Sequence, residues 1–232
     1  MRIKQIFERV ELNRNLNPLL WDGDELKDDV RQKMLKIAQA FIKHVGVDLD
    51  VQDVTLTGSN ANYTWNDFSD CDLHIIVPGV ASEEERELYS AKKDLWTANR
   101  DIKIRGIPIE CYVQGSDEPH HSTGVYSVAR NQWIDKPRRV RPRVNDSAIE
   151  AKMDDAVRII RRAVLSRDLD TINSVKTRIR DMRSAGLESS GEWSTENQVF
   201  KRLRNLGMID KMAELARELE DRELSLEQWL DS

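Results

Sequence analysis

The hydrophobic residues near the start of the chain recur with a helical period. The members of this pattern are Val30, Met34, Ile37, Phe41 and Val45. Intervals of three or four residues place them on one face of a helix, so the pattern predicts an amphipathic α-helix across this segment. An N-cap is expected at Asp22 or Asp24. Gly46 is expected to end the helix, because glycine readily adopts the left-handed conformation found at helix C-termini.

A second pattern follows, in which runs of β-branched residues are separated by turn residues. It predicts strands at residues 51–57, 70–77, 102–105, 107–114 and 124–128. Gly106 separates two of these strands, either as the turn of a hairpin or as a break between sequential strands. Ser82 and Glu85 have the spacing of a capping box, which predicts a helix from this point towards Asn99.

Beyond Lys136 the apolar residues show only helical spacing. Two prolines exclude a regular helix from residues 136–143, so this segment is expected to be a connector. The helices predicted after it cover residues 149–164, residues 172 to about Gly186, and two or three further segments between Trp193 and Trp229.

These patterns predict an α+β protein. Its first part would be a core of mixed sheet with flanking helices, and a C-terminal helical bundle would follow. The expected boundaries are residues 1–136 for the core, residues 137–147 for the basic connector and residues 148–232 for the helical domain.

Composition excludes several classes of protein. Charged residues make up 33% of the chain and hydrophobic residues 39%, which is typical of a globular protein. No apolar run approaches the roughly 20 residues that a bilayer span needs, and the N-terminal residues lack the apolar core of a secretory signal. Two cysteines cannot form a disulfide scaffold, and a net charge of −5 argues against a protein that coats nucleic acid. A cytoplasmic protein without a membrane partner is expected.

Three acidic residues in or beside the predicted strands are candidate metal ligands. Side chains alternate between the two faces of a strand, so Asp70, Asp72 and His74 share one face. Neighbouring carboxylates repel each other, and a divalent cation between them relieves that repulsion. Glu110 is a lone acid among apolar residues of a later strand, and such breaks in patterning tend to lie at functional sites. Three carboxylates are suited to hold two Mg²⁺ ions.

The turn before the Asp70 strand is a candidate phosphate site. Gly58 would let a triphosphate approach the backbone closely, and Ser59 offers both a hydroxyl and an amide. If a helical turn begins here, its N–H groups would add further donors for phosphate oxygens.

The ordered set of Gly58-Ser59, Asp70-x-Asp72 and a third acid on a later strand resembles the nucleotidyltransferase superfamily related to DNA polymerase β. The first half is also similar to small nucleotidyltransferases predicted in bacteria and tailed phages. The resemblance covers roughly residues 51–114. It implies transfer of a nucleoside monophosphate from a nucleoside triphosphate such as ATP to a hydroxyl, with Mg²⁺ or Mn²⁺ as cofactor.

The resemblance also implies roles for individual residues. Asp70 and Asp72 would hold both metal ions, and Glu110 would complete the second site and help to activate the acceptor hydroxyl. Gly58 and Ser59 would contact the triphosphate. Three further nucleotide contacts are expected: Tyr63 and Thr64, which stand where many members have Gly-Thr, and Lys152 on the first helix after the core.

Several alternatives remain open at the level of sequence. The acceptor would be an RNA end, a small molecule or a protein, and a catalytically silent member would instead bind a nucleotide or a protein partner. The basic cluster Arg138, Arg139, Arg141 and Arg143 fits either a phosphate-binding surface or an exposed linker. Strand alternation turns Cys71 and Cys111 away from the acids, so both are expected to be buried core residues.

Overall fold

The computed structural model describes residues 12–118, 122–139 and 145–225. The chain divides into two compact units, Met1–Arg141 and Pro142–Ser232. Arg141 and Arg143 of the basic cluster lie outside the described residues, as do the N-terminal segment 1–11 and Trp229. Arg138 and Arg139 are exposed and have no regular structure.

A mixed six-stranded sheet forms the centre of the first unit, in the order β5-β6-β4-β3-β7-β8. Its strands are β3 Asp53–Thr57, β4 Cys71–Val77, β5 Lys103–Ile104, β6 Ile107–Gly115, β7 Val125–Ser127 and β8 Gln132–Asp135. The predicted strands are thereby confirmed, and β5 and β6 form the hairpin around Gly106. A separate two-stranded hairpin, β1 Trp21–Asp22 and β2 Glu25–Leu26, precedes the sheet.

Only one pair of neighbouring strands, β4 and β6, runs parallel in the described sheet. Parallel neighbours need a long crossover connection, because their chain directions do not allow a tight turn. Helix α2, Glu83–Asn99, is that connection, and it packs on β6 and on helix α1, Asp28–Val45. The capping box of Ser82 and Glu85 is present and starts α2 as the sequence predicts.

Helix α1 confirms the predicted apolar face and the stop at Gly46, but the predicted start is wrong. The helix begins at Asp28, with Lys27 as an N-cap that makes no side-chain hydrogen bond. Asp22 is instead a residue of β1, and Asp24 lies in the turn of that hairpin. The hairpin uses this segment because Trp21 packs against Tyr126 and Trp133, with ring centroids 4.9 Å apart in both pairs.

The described part of the second unit contains four α-helices that pack against one another, and a short 3-10 helix, Gly191–Trp193, between the second and third of them. The four α-helices are α3 Asp146–Ser166, α4 Leu169–Ser190, α5 Thr195–Asn205 and α6 Met208–Leu224. None of the helices in the described ranges combines the length and apolar character of a membrane span.

Helix α4 does not end near Gly186 as predicted, but continues to Ser190. Gly186 is buried, and a Cβ atom there would lie 2.5 Å from Cβ of Glu196 and 2.7 Å from Oγ of Ser194. The glycine therefore allows α5 to approach α4 closely. Gly186 was interpreted as a helix stop, but this position needs a glycine for close packing.

The capping box at the start of α2 predicts a position-specific loss of stability. Ser82→Ala removes the hydroxyl that accepts from the backbone N–H of Glu85 over 3.2 Å. We expect the free energy of unfolding in urea to fall by about 1 kcal/mol. Ser90→Ala, an exposed site inside the same helix, is the matched control. Because alanine favours helix interiors, that change should leave stability equal or slightly higher; equal losses from both variants would contradict the role of the cap.

Candidate active site

Strand register brings the predicted acids to one end of the sheet. Asp72 pairs with Glu110 across the parallel β4–β6 ladder and with Thr57 across the antiparallel β3–β4 ladder. Asp70 immediately precedes β4. One ligand oxygen from each of Asp70, Asp72 and Glu110 lies within 4.8 Å of the others, and all three residues are half-buried.

This cluster fits a divalent cation by the chemistry of its donors. Mg²⁺ and Mn²⁺ prefer oxygen ligands, and three carboxylates at this separation supply them together with an excess of negative charge. Half-burial weakens screening of the carboxylates by water and leaves one side of the cluster open to solvent. The three residues would hold the metal, and the described part of the chain contains no other cluster of this kind.

Gly58 makes room for one of the acids. Its backbone adopts φ 74° and ψ −158°, a conformation that is essentially restricted to glycine. A Cβ atom at this position would lie 2.0 Å from Oδ2 of Asp72. The glycine that the sequence assigns to phosphate approach is thus also required by the carboxylate beside it, a reason that the sequence motif did not reveal.

The residues around Gly58 form a short loop held by hydroxyl groups. Ser59–Ala61 is a 3-10 helix, so the predicted helical turn is present. The Ser59 hydroxyl donates to Oγ of Ser69 over 2.9 Å. The Gly58 amide donates to Oγ of Ser122 over 3.2 Å. If these two groups bind a triphosphate as predicted, the Ser59 hydroxyl exchanges its bond to Ser69, and the Gly58 amide its bond to Ser122, for a bond to phosphate.

Asn60 is a buried residue that sequence reasoning missed. Its side-chain amide donates to the backbone carbonyl of Asp70 over 2.7 Å and accepts from Asn17 over 2.8 Å. Its own carbonyl accepts from the indole N–H of Trp21 over 2.8 Å. These bonds fix the backbone from which Asp70 projects. The sequence carries no signal for them, because Asn17 and Trp21 lie about forty positions away.

The remaining predicted nucleotide contacts occupy different environments. Tyr63 is half-buried and packs on the core, while Thr64 is buried. Lys152 belongs to α3 of the second unit, where its ammonium group forms an ion pair with Glu196. The hydrogen bond from Lys152 lowers the pKa of the Glu196 carboxyl. Contact of these three residues with a nucleotide stays a prediction.

A second group of side chains surrounds Glu110. The Tyr112 hydroxyl donates to Oε2 of Glu110, and the ammonium group of Lys93 lies 3.5 Å from the same oxygen. Burial, followed by the nearby charges of Asp72 and Glu110, raises the pKa of the Tyr112 hydroxyl well above its usual range, so this group stays a donor. The His74 ring stacks on Tyr112 with centroids 4.8 Å apart. Lys93 was missed by sequence reasoning because its place depends on how α2 packs on β6.

The two cysteines confirm the prediction that they are core residues. Cys71 and Cys111 are both fully buried in the sheet, on the face opposite the acids. Burial, reinforced by the adjacent Glu110 charge, raises the pKa of the Cys111 thiol to about 12. Burial likewise raises the pKa of Cys71. Neither thiol has the character of a metal ligand or nucleophile, which acts as the thiolate.

Comparison with known proteins gave weak similarities only. No protein-family model matches the chain, and neither does any curated protein. Among solved structures, the CdnE cyclic dinucleotide synthase of Elizabethkingia meningoseptica, solved with GTP and Apcpp, is 13% identical with a TM-score of 0.29; the match covers 96% of this chain and 83% of that chain. Spectinomycin adenyltransferase AAD(9) of Enterococcus faecialis, solved with ATP and spectinomycin, is 12% identical with a TM-score of 0.25, covering 82% and 99%.

A STING-associated CdnE c-di-GMP synthase from Capnocytophaga granulosa is 10% identical with a TM-score of 0.23, covering 85% of this chain and 84% of that chain. These weak structural neighbours are synthases and a transferase that handle nucleotides. Similarity at this level does not establish a shared fold. What the site can do chemically is therefore inferred from its own geometry.

The close approach of Gly58 to Asp72 predicts the effect of adding one methyl group. In Gly58→Ala the new Cβ would displace the Asp72 carboxylate, so we expect Mn²⁺ affinity to fall about tenfold or more. Isothermal titration with Mn²⁺ measures it. Gly79→Ala is the matched control, since Gly79 also has φ 74° but no atom within 4 Å of the new Cβ. Unchanged Mn²⁺ affinity in folded Gly58→Ala would show that this contact does not shape the site.

The buried thiols predict resistance to alkylation. Because the pKa of both cysteines is raised in the folded protein, iodoacetamide at pH 8 should modify neither Cys71 nor Cys111 within a time that fully modifies the urea-unfolded chain. Intact-mass spectrometry counts the added groups. Rapid modification of the native protein would mean that one of the two strands opens to solvent.

Proposed function

We propose that this chain is a metal-dependent nucleotidyltransferase that transfers a nucleoside monophosphate from a nucleoside triphosphate to a hydroxyl acceptor, with release of pyrophosphate. One observation carries the proposal: carboxylate oxygens of Asp70, Asp72 and Glu110 converge within 4.8 Å. They do so beside a turn, Gly58-Ser59, whose backbone is shaped around one of these acids. The triphosphate of the proposed reaction adds negative charge to that of the three acids. The site therefore needs a metal cation at this point.

The proposed roles follow from position. Asp72 lies against the Gly58 turn and Asp70 lies close to Asp72, and both would hold the metal shared with the triphosphate. Mg²⁺ or Mn²⁺ bound there would supply charge stabilisation to the attacking and leaving oxygens of an in-line displacement. Gly58 and Ser59 would then support the phosphates through an amide and a hydroxyl. Catalysis by these groups is a matter of positioning and electrostatic stabilisation rather than of covalent chemistry.

Glu110 is the proposed meeting point of acceptor and nucleotide, because it also lines a pocket. A pocket of about 440 Å³ adjoins it, formed by the end of α2, the following link to β5 and the start of β6. Its lining residues are Thr97, Ala98, Asn99, Arg100, Asp101, Ile102, Pro108, Ile109 and Glu110. This volume falls within the range of small-molecule sites. We place the acceptor hydroxyl at this pocket, with Glu110 as the carboxylate that takes its proton.

The finer assignments belong to the same proposal. ATP is the simplest donor to test first, and an RNA end, a small molecule and a protein each remain acceptors for direct assay. Lys152, Tyr63 and Thr64 are proposed nucleotide contacts. For Lys152 this requires its ammonium group to leave Glu196 or to bind phosphate while still paired with it.

Removal of either acid of the Asp-x-Asp pair should abolish turnover without unfolding the chain. We expect Asp70→Ala and Asp72→Ala each to reduce metal-dependent incorporation of labelled nucleotide by about 100-fold or more. The assay supplies each of four labelled triphosphates with Mg²⁺ or Mn²⁺ and total RNA, a small-molecule extract or protein, and follows pyrophosphate release. Thermal unfolding should show equal or higher stability, since like-charge repulsion is relieved.

Asp67→Ala is the matched control, because Asp67 is an exposed aspartate three residues before Asp70. It loses the same charge without touching the proposed site, so its turnover should equal that of the wild type. Full activity in Asp70→Ala or Asp72→Ala would show that the catalytic site is assigned wrongly. Tight triphosphate binding that persists in EDTA, with no turnover on any acceptor, would favour a silent nucleotide-binding protein instead.

A further inference from the structure

Lys93 is the cation that α2 brings to the carboxylate cluster. Helix α2 packs on β6, and Lys93, with 26% of its side chain exposed, reaches the half-buried Glu110 of that strand. Lys92, the preceding residue of the helix, faces α1: its carbonyl lies 3.0 Å from Nε2 of His44, and its ammonium group is beside Gly46. Two adjacent lysines of one helix therefore occupy different electrostatic environments.

The contacts of Lys93 concentrate on one oxygen atom. Its Nζ lies 3.5 Å from Oε2 of Glu110, the oxygen that also accepts from the Tyr112 hydroxyl. The same ammonium group lies 4.2 Å from the centroid of the Tyr112 ring, within the range of a cation–π interaction. Tyr112 is itself stacked on His74 of the neighbouring strand. Glu110 is thus oriented by a lysine and a tyrosine, both of which contact each other.

This arrangement has an electrostatic consequence for a divalent cation. Three carboxylates attract such an ion, but a resident ammonium group 3.5 Å from Oε2 of Glu110 repels it. The lysine contributes a charge of the same sign as the metal to the same group of acids. Its presence therefore lowers the affinity of the cluster for the metal while it keeps Glu110 in place.

We infer that Lys93 is a positioning residue that acts as the internal counter-ion of Glu110, holding Oε2 together with Tyr112 and competing with a divalent cation for the cluster. The inference rests on the proposed function, because it assumes that Asp70, Asp72 and Glu110 bind the metal. It adds a control on that binding: the Glu110 position accepts a metal ion only against the charge of Lys93, so the site fills at a higher metal concentration than its three acids alone would set.

Binding of Mn²⁺ to the full chain tests this role without any assay of activity. Lys93→Met keeps the length of the side chain and removes its charge, so we expect Mn²⁺ affinity to rise about 3- to 10-fold, measured by the electron paramagnetic resonance signal of free Mn²⁺. Lys93→Arg keeps the charge and should bind Mn²⁺ as the wild type does. Lys92→Met, with the same loss of charge on the neighbouring residue, is the matched control and should leave affinity within about twofold.

Two results distinguish failure of this role from failure of the metal site. Mn²⁺ binding that does not weaken in Asp72→Asn would reject the metal site, and the role of Lys93 with it. If Asp72→Asn weakens binding but folded Lys93→Met binds Mn²⁺ no better than the wild type, the metal site stands and the counter-ion role is rejected. An equal gain in Lys92→Met would likewise reject it, since net charge rather than position would be the cause. Thermal unfolding of each variant verifies the fold.

Discussion

The parallel pairing of β4 with β6 is the constraint on which the rest of the site depends. It sets Asp72 directly beside Glu110, although 38 positions of chain separate them. Because parallel neighbours cannot be joined by a tight turn, the chain must leave the sheet and return through α2. That crossover carries Lys93 to the edge where the acids meet and ends at the wall of the adjoining pocket. The pairing of β4 with β6 thus determines the positions of Asp72 and Glu110, of Lys93 and of the pocket together.

The three acids repel one another, and contacts from neighbouring residues offset that repulsion. Like charges within 4.8 Å oppose folding unless they are solvated, hydrogen-bonded or paired. Gly58 leaves space for the Asp72 carboxylate, Asn60 fixes the backbone at Asp70, and Tyr112 with Lys93 holds Glu110. The loop of Gly58 and Asn60 therefore supports the two aspartates, whereas Tyr112 of β6 and Lys93 of α2 support Glu110. These contacts are made within the protein, so the acids are positioned before any ligand binds.

Local signals were sufficient to predict much of this architecture from sequence. The alternation of Asp70 and Asp72, the apolar face of α1 and the capping box at Ser82 depend on neighbours within a few positions, and the structure has all three. The start of α1 was misplaced because Asp22 looks like a cap until the distant partners of Trp21 are known. Gly186 looks like a stop for the same reason: the residues of α5 that need its small size are invisible locally. Lys93 and Asn60 gave no signal, since their partners come from strands and loops far along the chain.

The contact between Gly58 and Asp72 ties two positions together in evolution. A side chain at position 58 and the present placement of the Asp72 carboxylate exclude each other, because the added carbon would stand 2.0 Å from the carboxylate oxygen. Lineages that keep the acid in this placement are expected to keep the glycine, whereas lineages that lose the acid are released from the steric part of that restriction. Joint loss of the two residues among homologues would mark descendants that have abandoned the proposed metal site, and it would do so without any biochemical assay.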